Sequence, residues 1–294
     1  MQENQLNHKQ KNSFFKNSDY SIKKNDLFFI AEIMKNEAGI VLPESKSSLI
    51  YSRLTKRIRK LGMSTFSDYC SYIKTPEGAE ERKEMLAALT TNVTSFFREF
   101  HHFEHLQTKI LPDLIRRAKS GERIRMWSAA CSSGQEAYSI ALILLKLMPD
   151  ANNYDIRILA TDIDKNILSK ACDGIYEQSL LSSIPSDLRI GNFKALDDQQ
   201  DLFQINEKLR NLISFKQLNL IGEWPMKGKF QVIFCRNVVI YFDNETQDKL
   251  WRRLASILDK NGMLYVGHSE RISDPGSIGV RNNGLTTYAK LEVS

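Results

Sequence analysis

Three short parts of the chain carry the residue types from which a binding or catalytic site could be built. The first, residues 91–99, places the amide, hydroxyl and guanidinium groups of Asn92, Thr94 and Arg98 around two adjacent phenylalanines. Because such a Phe pair normally lies in a core, we expect the polar groups at the edge of a buried surface, facing a pocket. A capped helix start, with Thr and Asn as N-cap residues, would show the same pattern.

The second and third parts are residues 129–136 and Asp162. Residues 129–136 are rich in small side chains but contain neither G-x-G-x-x-G nor G-x-x-x-x-G-K-[ST], so no diphosphate cradle is encoded. Glu136 would repel a phosphate but suits an ammonium, and Asp162 is placed to accept hydrogen bonds from ribose hydroxyls. A nucleoside with a positive charge and no phosphates describes S-adenosylmethionine. An N-cap role for Asp162 fits its position equally well.

Strands alternating with helices must position these groups. Hydrophobic periodicity predicts strands and helices in the order 123–128 (strand), 134–148 (helix), 156–160 (strand), 164–171 (helix), 230–235 (strand), 245–258 (helix) and 263–266 (strand). This alternation predicts an α/β fold with a Rossmann-like, mostly parallel sheet, whose ligand crevice lies at the carboxyl ends of the strands. Residues 172–218 break the alternation and contain antiparallel segments such as 202–206 and 212–215, so we expect a small inserted antiparallel β subdomain.

The remaining regions complete the expected domain organisation. Residues 1–25 are polar and basic and are predicted to be a disordered arm. Residues 26–90 show helical periodicity throughout and predict a small all-α domain. Residues 91–98 form a linker that contributes to the ligand site, and 99–294 form the α/β domain.

Composition limits the class of protein. The 294 residues are 42% apolar, enough for one large α/β domain and a smaller companion. No apolar run reaches the length of a membrane span and the N-terminus is too polar for a secretory signal, so we expect a cytoplasmic protein without membrane insertion. The four cysteines form no C-x-x-C pair, which argues against a disulfide framework and a cysteine-rich zinc site.

The formal net charge of +6 favours an acidic partner. The predicted helix 46–61 buries apolar residues on one side, and almost no acid lies between its basic residues. We therefore expect Arg53, Arg57 and Arg59 to form a docking face for an acidic partner. A solvated surface is the alternative interpretation.

An ordered set of motifs indicates a family. From about residue 26 to the C-terminus the chain resembles the chemotaxis receptor methyltransferases of the CheR type, through TTNVTSFFRE, WSAACSSGQEAYS, ATDID, QLNL, FCRNVVIYF and GHSE. The resemblance implies transfer of methyl from S-adenosylmethionine to glutamates of receptor coiled coils, with S-adenosylhomocysteine as product. By motif position it implies cofactor contacts at Asn92, Thr94, Arg98, Glu136, Asp162, Asn219, Leu220, Arg236 and Asn237.

Two departures from the family pattern affect these expectations. Gln135 and Ala137 stand where an acid and a proline are common, while Glu136 is retained. The chain also has no glycine in residues 193–220, where members that bind a receptor's C-terminal pentapeptide resemble one another in a Gly-rich turn. We therefore predict docking without that tail.

For catalysis we expect Arg98 to orient the substrate carboxylate and Tyr241 to donate a hydrogen bond beside the methyl.

Parts of the sequence also suggest three other functions. His101, Glu104 and His105 match the zinc-peptidase pattern H-x-x-E-H, but an obvious third ligand is missing and we predict no metal. A nucleic-acid methyltransferase would suit the basic charge, yet the Pro-Pro-aromatic signature of base-amino methyltransferases is absent after the strand 230–235, so we predict no nucleic acid partner. A noncatalytic adaptor that binds S-adenosylmethionine would look similar in sequence, although Arg98 and Tyr241 weigh against it.

Overall fold

The computed structural model of the protein describes residues 20–196 and 199–291. Most of the arm predicted for residues 1–25 therefore lies outside the described residues. The described residues divide into two compact units: those up to Thr91 together with Tyr241–Asp243, and Asn92–Ile240 together with those from Asn244 onward.

The first unit is helical. Gly39 ends its first helix in the left-handed conformation with φ +73, which glycine adopts without steric cost. The apolar sides of the helices form the core, with Ile30, Met34, Leu54 and Ile58 fully buried. The helices are α1 (Lys24–Ala38), α2 (Ser47–Lys60), α3 (Phe66–Lys74) and α4 (Ala79–Leu89).

A buried ion pair joins α2 to α4 inside this core. The Arg57 guanidinium donates to both carboxylate oxygens of Glu81, over 2.9 and 2.5 Å, and to Glu84 over 2.9 Å. The Tyr69 hydroxyl donates to Glu81 over 2.9 Å, and Glu81 is only 6% exposed. The hydrogen bond to Glu81 raises the pKa of Arg57. Arg57 therefore neutralises a buried carboxylate.

Arg53 also has partners inside the helical unit. Its guanidinium donates to the carbonyl of Ala88 over 3.1 Å and to that of Thr90. These carbonyls lie at the C-terminus of α4, where the last oxygens of a helix lack intrahelical donors and a cation is favourable. Two of the three arginines of the predicted docking face are thus engaged with α4, and the docking role of the three stays a prediction.

The segment Tyr241–Asp243 belongs to the helical unit although it is remote in sequence. Phe242 forms an antiparallel bridge with Ile40, and the Val41 amide donates to the Tyr241 carbonyl over 2.8 Å. Lys35 forms an ion pair with Asp243 over 3.1 Å. This pairing fixes the backbone of Tyr241 to the residues that follow α1.

The second unit is the α/β unit. Its helices are α5 (His101–His105), α6 (Leu111–Lys119), α7 (Gln135–Leu147), α8 (Lys165–Asp173), α9 (Gln178–Leu181), α10 (Ser186–Arg189), α11 (Glu207–Arg210) and α12 (Asn244–Ile257). Its strands are β1 (Ile124–Ala129), β2 (Ile156–Asp162), β3 (Ile175–Glu177), β4 (Phe193–Leu196), β5 (Gln199–Ile205), β6 (Ile213–Gln217), β7 (Phe230–Cys235), β8 (Leu258–Val266), β9 (Val280–Gly284) and β10 (Thr287–Lys290).

In the part of the chain that the structure describes, seven of these strands form one sheet in the order β6-β2-β1-β7-β8-β10-β9. The first five run parallel, and β10 pairs antiparallel with both β8 and β9. Every residue of β7 is buried, as is typical of a central strand covered on both faces. The predicted mostly parallel α/β sheet is confirmed, and its parallel strands bring their carboxyl ends to one edge.

The remaining strands form the small inserted sheet, β3-β5-β4, which is antiparallel as predicted. The expectation that residues 212–215 belong to it as an antiparallel segment is wrong. Ile213 and the following residues pair parallel with β2 at the edge of the large sheet. Tyr176 of β3 connects the small sheet to the loop after β1, because its hydroxyl donates to the Ser133 carbonyl over 2.6 Å.

We predict that Arg57→Met lowers the free energy of unfolding by about 3 kcal/mol, because it leaves the Glu81 carboxylate buried without its cation. Urea unfolding followed by circular dichroism measures the change. Lys56→Met, at an exposed position on the same helix, is the matched control and should change the free energy by less than about 0.5 kcal/mol.

The double variant Arg57→Met, Glu81→Leu should recover most of the loss, since it removes both charges together. Equal unfolding curves for Arg57→Met and Lys56→Met would show that Glu81 does not need this guanidinium.

Candidate cofactor-binding and catalytic site

The carboxyl ends of four neighbouring parallel strands carry most of the residues predicted to bind the cofactor. Because parallel strands end at one edge of their sheet, residues distant in sequence meet there. β1 leads into the loop before α7, β2 ends in an acid, and β6 and β7 are each followed by two of the predicted residues. These residues are Glu136, Asp162, Asn219, Leu220, Arg236 and Asn237.

A buried guanidinium between two carboxylates lies at the centre of this edge. Arg236 donates to Glu136 Oε2 over 2.9 Å, and its Nη2 lies 3.2 Å from Glu99 Oε2. The same side chain donates to the Arg98 carbonyl. The Arg236 side chain is 2% exposed, and each glutamate side chain is 12% exposed. We refer to Arg236, Glu99 and Glu136 as the Arg236 cluster.

The two carboxylates of the Arg236 cluster differ in acidity. Burial opposes ionisation of Glu99, but Arg236 and hydrogen bonds from His268 and Asn237 outweigh it and lower the pKa of Glu99 to about 2. Burial of Glu136 dominates over Arg236 and Ser128 and raises its pKa. With two acids and one guanidinium, the Arg236 cluster favours a cationic ligand over a phosphate.

Asp162 is buried and occupies the end of β2. Its carboxylate accepts hydrogen bonds from the Ser132 amide over 2.8 Å and from the Asp164 amide over 3.0 Å. Asp164 caps α8, since its side chain accepts from the amides of Asn166 and Ile167. A carboxylate has about four acceptor positions, so Asp162 keeps capacity for ligand hydroxyls.

Asn92 connects the linker to the same edge. Its side-chain amide donates to Asp164 Oδ2 over 3.1 Å, and its carbonyl accepts from the Ser132 hydroxyl over 3.0 Å. The linker is therefore held directly against the loop that follows β1. Asn92 and Asp162 therefore both contact Ser132, and their predicted contacts with the cofactor stay predictions.

Backbone strain concentrates at this edge. Five non-glycine residues here have φ between +51 and +59: Phe97, Glu99, Ala130, Ser132 and Asn237. Each such conformation costs on the order of 1–3 kcal/mol and persists only where the surroundings enforce it, which is typical of binding sites. For Phe97 the enforcement is visible, because its ring is buried and its amide donates to the Ser139 hydroxyl over 3.0 Å.

Arg98 lies between two of these strained residues. Its backbone carbonyl is held by Arg236, while its guanidinium donates to the Val93 carbonyl over 3.1 Å in an exposed position. The side chain thus remains near the surface while its backbone is fixed. Thr94 is partly buried in the same segment. The roles of Thr94, Arg98 and Tyr241 stay predictions.

The sequence predicted no role for three polar residues of this site, namely Ser128, Glu99 and His268. Ser128 donates to Glu136 Oε1 over 2.6 Å, and His268 and Asn237 both donate to Glu99 Oε1, over 2.9 and 3.1 Å. His268 belongs to the GHSE motif and Glu99 follows Arg98 directly. Both motifs can be recognised in the sequence. The contact between His268 and Glu99, however, depends on β8 lying beside β7.

Among the described residues, one group could hold a metal ion, Glu99 with His101 and His102. It differs from the H-x-x-E-H set, because His105 contacts the Tyr265 hydroxyl over 2.9 Å and Glu104 is exposed. The Arg236 guanidinium lies 3.2 Å from Glu99 Oε2. Glu99 Oε1 already accepts hydrogen bonds from His268 and Asn237, so both oxygens of this carboxylate are engaged. We assign no metal to this group.

A surface depression of about 630 Å³ lies elsewhere, at the amino ends of β1, β2 and β7. Arg123, Arg125, Arg157, Lys227 and Lys229 surround it. Arg125 is paired with Asp155 over 2.6 Å. The depression is at the opposite edge of the sheet from the Arg236 cluster, so it is separate from the predicted cofactor site.

Comparison with known families decides the classification. Residues 92–283 match the CheR methyltransferase SAM-binding domain, and residues 25–90 match the CheR methyltransferase all-alpha domain. The chain belongs to the CheR methyltransferase family.

No helix among the described residues has the length and apolarity needed to cross a membrane.

Related proteins match most of the chain. A probable chemotaxis protein methyltransferase of Rhizobium etli is 53% identical over 86% of this chain and 95% of the relative. A chemotaxis protein methyltransferase of Borreliella burgdorferi is 40% identical over 87% of this chain and 91% of that protein. Among solved structures, magnesium protoporphyrin IX methyltransferase from Synechocystis with bound SAM has a TM-score of 0.35 and 12% identity, covering 75% of this chain and 94% of that one.

S-adenosylmethionine is therefore the cofactor of this CheR-type methyltransferase, and the described site fits it. Asp162 retains acceptor positions for hydroxyls. The Arg236 cluster carries two acids for one guanidinium and so suits a sulfonium. The residues after β1 contain no phosphate cradle, in agreement with a cofactor that has no phosphates.

We predict that the Glu99 carboxylate stabilises the fold in a pH-dependent way. Its folded pKa of about 2 lies below the ordinary value of 4.5, so its contribution is present above about pH 4.5 and lost as the pH falls toward 2. Urea unfolding at a series of pH values should show wild type more stable than Glu99→Gln by a constant amount above about pH 4.5 and by a shrinking amount below it.

Glu104→Gln, a substitution of an exposed glutamate on α5, should follow the wild-type curve at a nearly constant offset. A Glu99→Gln difference that did not change with pH would contradict an ionised Glu99 held by Arg236.

Proposed function

We propose that this CheR-type protein transfers the methyl group of S-adenosylmethionine to glutamate side chains on cytoplasmic coiled coils of chemotaxis receptors. The product is a glutamate methyl ester, which makes the protein a protein-glutamate O-methyltransferase. The proposal is carried by Arg98, an arginine near the surface whose backbone is held by the Arg236 cluster at the cofactor edge. The names of the relatives, chemotaxis protein methyltransferases, supply the substrate class.

The cofactor would be held by the residues at the carboxyl ends of the strands. Asp162 would accept from hydroxyl groups, and the Arg236 cluster would face the positively charged part. When bound, S-adenosylmethionine supplies a methyl group activated by a positively charged sulfur. The proposed set is completed by residues of the linker and of the segments after β6 and β7, namely Asn92, Thr94, Asn219, Leu220 and Asn237.

The chain's own residues need only place and desolvate the acceptor. An unperturbed glutamate side chain has a pKa well below 7 and is ionised at neutral pH, so no strong general base is required. Arg98 would orient the acceptor carboxylate, since a guanidinium holds a carboxylate in two parallel hydrogen bonds. Tyr241 would donate a hydrogen bond beside the transferred group. Placement of this kind accounts for several powers of ten in rate.

The chemistry of the product gives the reaction a signalling role. Esterification removes one negative charge from the receptor helix, and loss of a charge changes the repulsion between neighbouring helices. Removal of the ester would restore it. Reversible charge neutralisation on the receptor is thus the physical basis that we propose for sensory adaptation.

Docking would use the helical unit. Arg53, Arg57 and Arg59 are the proposed receptor-facing residues, and Arg57 also neutralises the buried Glu81. The Arg59 guanidinium lies 5.6 Å from the Tyr20 ring centre. We propose docking without the receptor's C-terminal pentapeptide, because residues 193–220 contain no glycine for a Gly-rich turn.

We predict that the purified protein transfers labelled methyl from S-adenosylmethionine to a cytoplasmic receptor fragment and that mild alkali releases the label as methanol. Esters hydrolyse under these conditions, whereas N-methyl groups do not. A fragment with its methylation-site glutamates replaced by alanine is the control. Label that survives alkali would indicate N-methylation and overturn the proposal, and label on nucleic acid would favour the alternative substrate class.

We also predict that Arg98→Ala lowers kcat/KM for methyl transfer by roughly a hundredfold, as expected when a reactant loses its placement. The Kd for S-adenosylhomocysteine, measured by calorimetry, should change much less. Arg116→Ala, at an arginine whose side chain is 80% exposed, is the matched control. Equal losses of transfer and of cofactor affinity would show that Arg98 acts mainly on the cofactor.

A further inference from the structure

The carboxylate of Glu270 accepts four backbone hydrogen bonds in the loops that follow β7 and β8. Its Oε1 accepts from the amides of Val238 and Val239, over 2.9 and 2.7 Å. Its Oε2 accepts from the amides of Asn237 and Gly267, over 2.9 and 2.6 Å. Glu270 is 5% exposed, and no ion pair joins it to a basic side chain in the described ranges. Backbone dipoles therefore take the place of a countercharge.

Three consecutive amides converge on this carboxylate because the chain turns sharply after β7. Asn237 has φ +58, which directs its own amide and the next two toward one point. Without the carboxylate, these donors would lose their acceptor and the strained turn would lose its support. The conformation of residues 236–239 thus depends on Glu270.

The close approach of the two loops excludes a side chain at residue 267. A Cβ on Gly267 would lie 2.6 Å from Asn237 Nδ2 and 2.8 Å from both the Asn237 amide and Glu270 Oε2. Such distances are well below van der Waals contact. Gly267 therefore allows Glu270 to reach the turn after β7.

The turn that Glu270 holds carries two residues predicted to bind the cofactor. Arg236 pairs with Glu136 and Glu99, and the Asn237 side chain donates to Glu99 over 3.1 Å. If the turn relaxed, both side chains would leave the orientation that these contacts require. The Arg236 cluster thus depends, through the backbone of residues 236–239, on the Glu270 carboxylate, which lies outside the cluster.

We propose that Glu270 is a positioning residue for cofactor binding, which acts by fixing the turn 236–239. This inference rests on the assignment of Arg236 and Asn237 to the cofactor site. It assigns to the last residue of the GHSE motif a role that the resemblance did not give it.

The test compares Glu270→Gln with Glu245→Gln, whose glutamate side chain is 78% exposed. In either orientation of the substituted amide, its NH2 group faces two backbone amides, so two of the four bonds to Glu270 are lost. We expect the Kd for S-adenosylhomocysteine to rise roughly tenfold or more, since two buried donors lose their acceptor and part of that cost falls on binding, which requires the ordered turn. The KM for S-adenosylmethionine should rise with it, while kcat changes less.

A structural role alone would lower the melting temperature of Glu270→Gln and leave the Kd of the folded protein unchanged. That result would overturn the proposal. Glu270→Ala provides a second test, because it vacates the site where four amides converge. Propionate should then restore part of the affinity for S-adenosylhomocysteine, and chloride at the same ionic strength should not. Equal effects of the two salts would contradict an anion-holding turn.

Asn237→Ala distinguishes this inference from the cofactor-site assignment on which it depends. If Asn237→Ala weakens S-adenosylhomocysteine binding and Glu270→Gln does not, only the role of Glu270 is wrong. If neither substitution matters while wild type binds, the assignment of Asn237 is wrong and the inference fails with it.

Discussion

The α/β unit depends on one buried guanidinium, that of Arg236, held between Glu99 and Glu136. It joins the turn after β7 to the first turn of α7 and to the residues before α5. Removal of the guanidinium would leave two carboxylates buried without their shared cation, which costs several kcal/mol. The same arrangement holds the backbone of Arg98 and gives the carboxyl edge of the parallel strands an excess of acidic groups. The contacts of Arg236 therefore determine both the backbone arrangement of this edge and its charge.

A second constraint is the backbone strain at this edge. Ala130, Ser132 and Asn237 adopt left-handed conformations in the loops after β1 and β7. Contacts from elsewhere in the unit hold these loops: the Ser132 amide donates to Asp162, and the amides of the turn after β7 donate to Glu270. Loops held in this way would not need to become ordered when a ligand binds, which would lower the cost of binding.

The helical unit shows that basic residues of one helix can find their partners on another helix. Arg53 and Arg57 look like a free cationic surface in sequence, because almost no acid lies among the basic residues of their helix. In the structure Arg57 meets Glu81 and Glu84 of α4, and Arg53 meets the carbonyls at the end of that helix. Helix pairing brings these groups together, and periodicity within one helix contains no information about it.

The sequence by itself determined the alternation of strands and helices, the parallel half of the sheet and the motifs that indicate the family, since hydrophobic periodicity and residue type are local properties. Only the tertiary structure decided that residues 213–217 join the large sheet, that Asp164 rather than Asp162 caps α8, and that Glu99, His268 and Glu270 lie together at the carboxyl edge of the parallel strands. Those outcomes depend on which strands lie side by side and on the burial of charges between them, and both arise only when distant segments pack together.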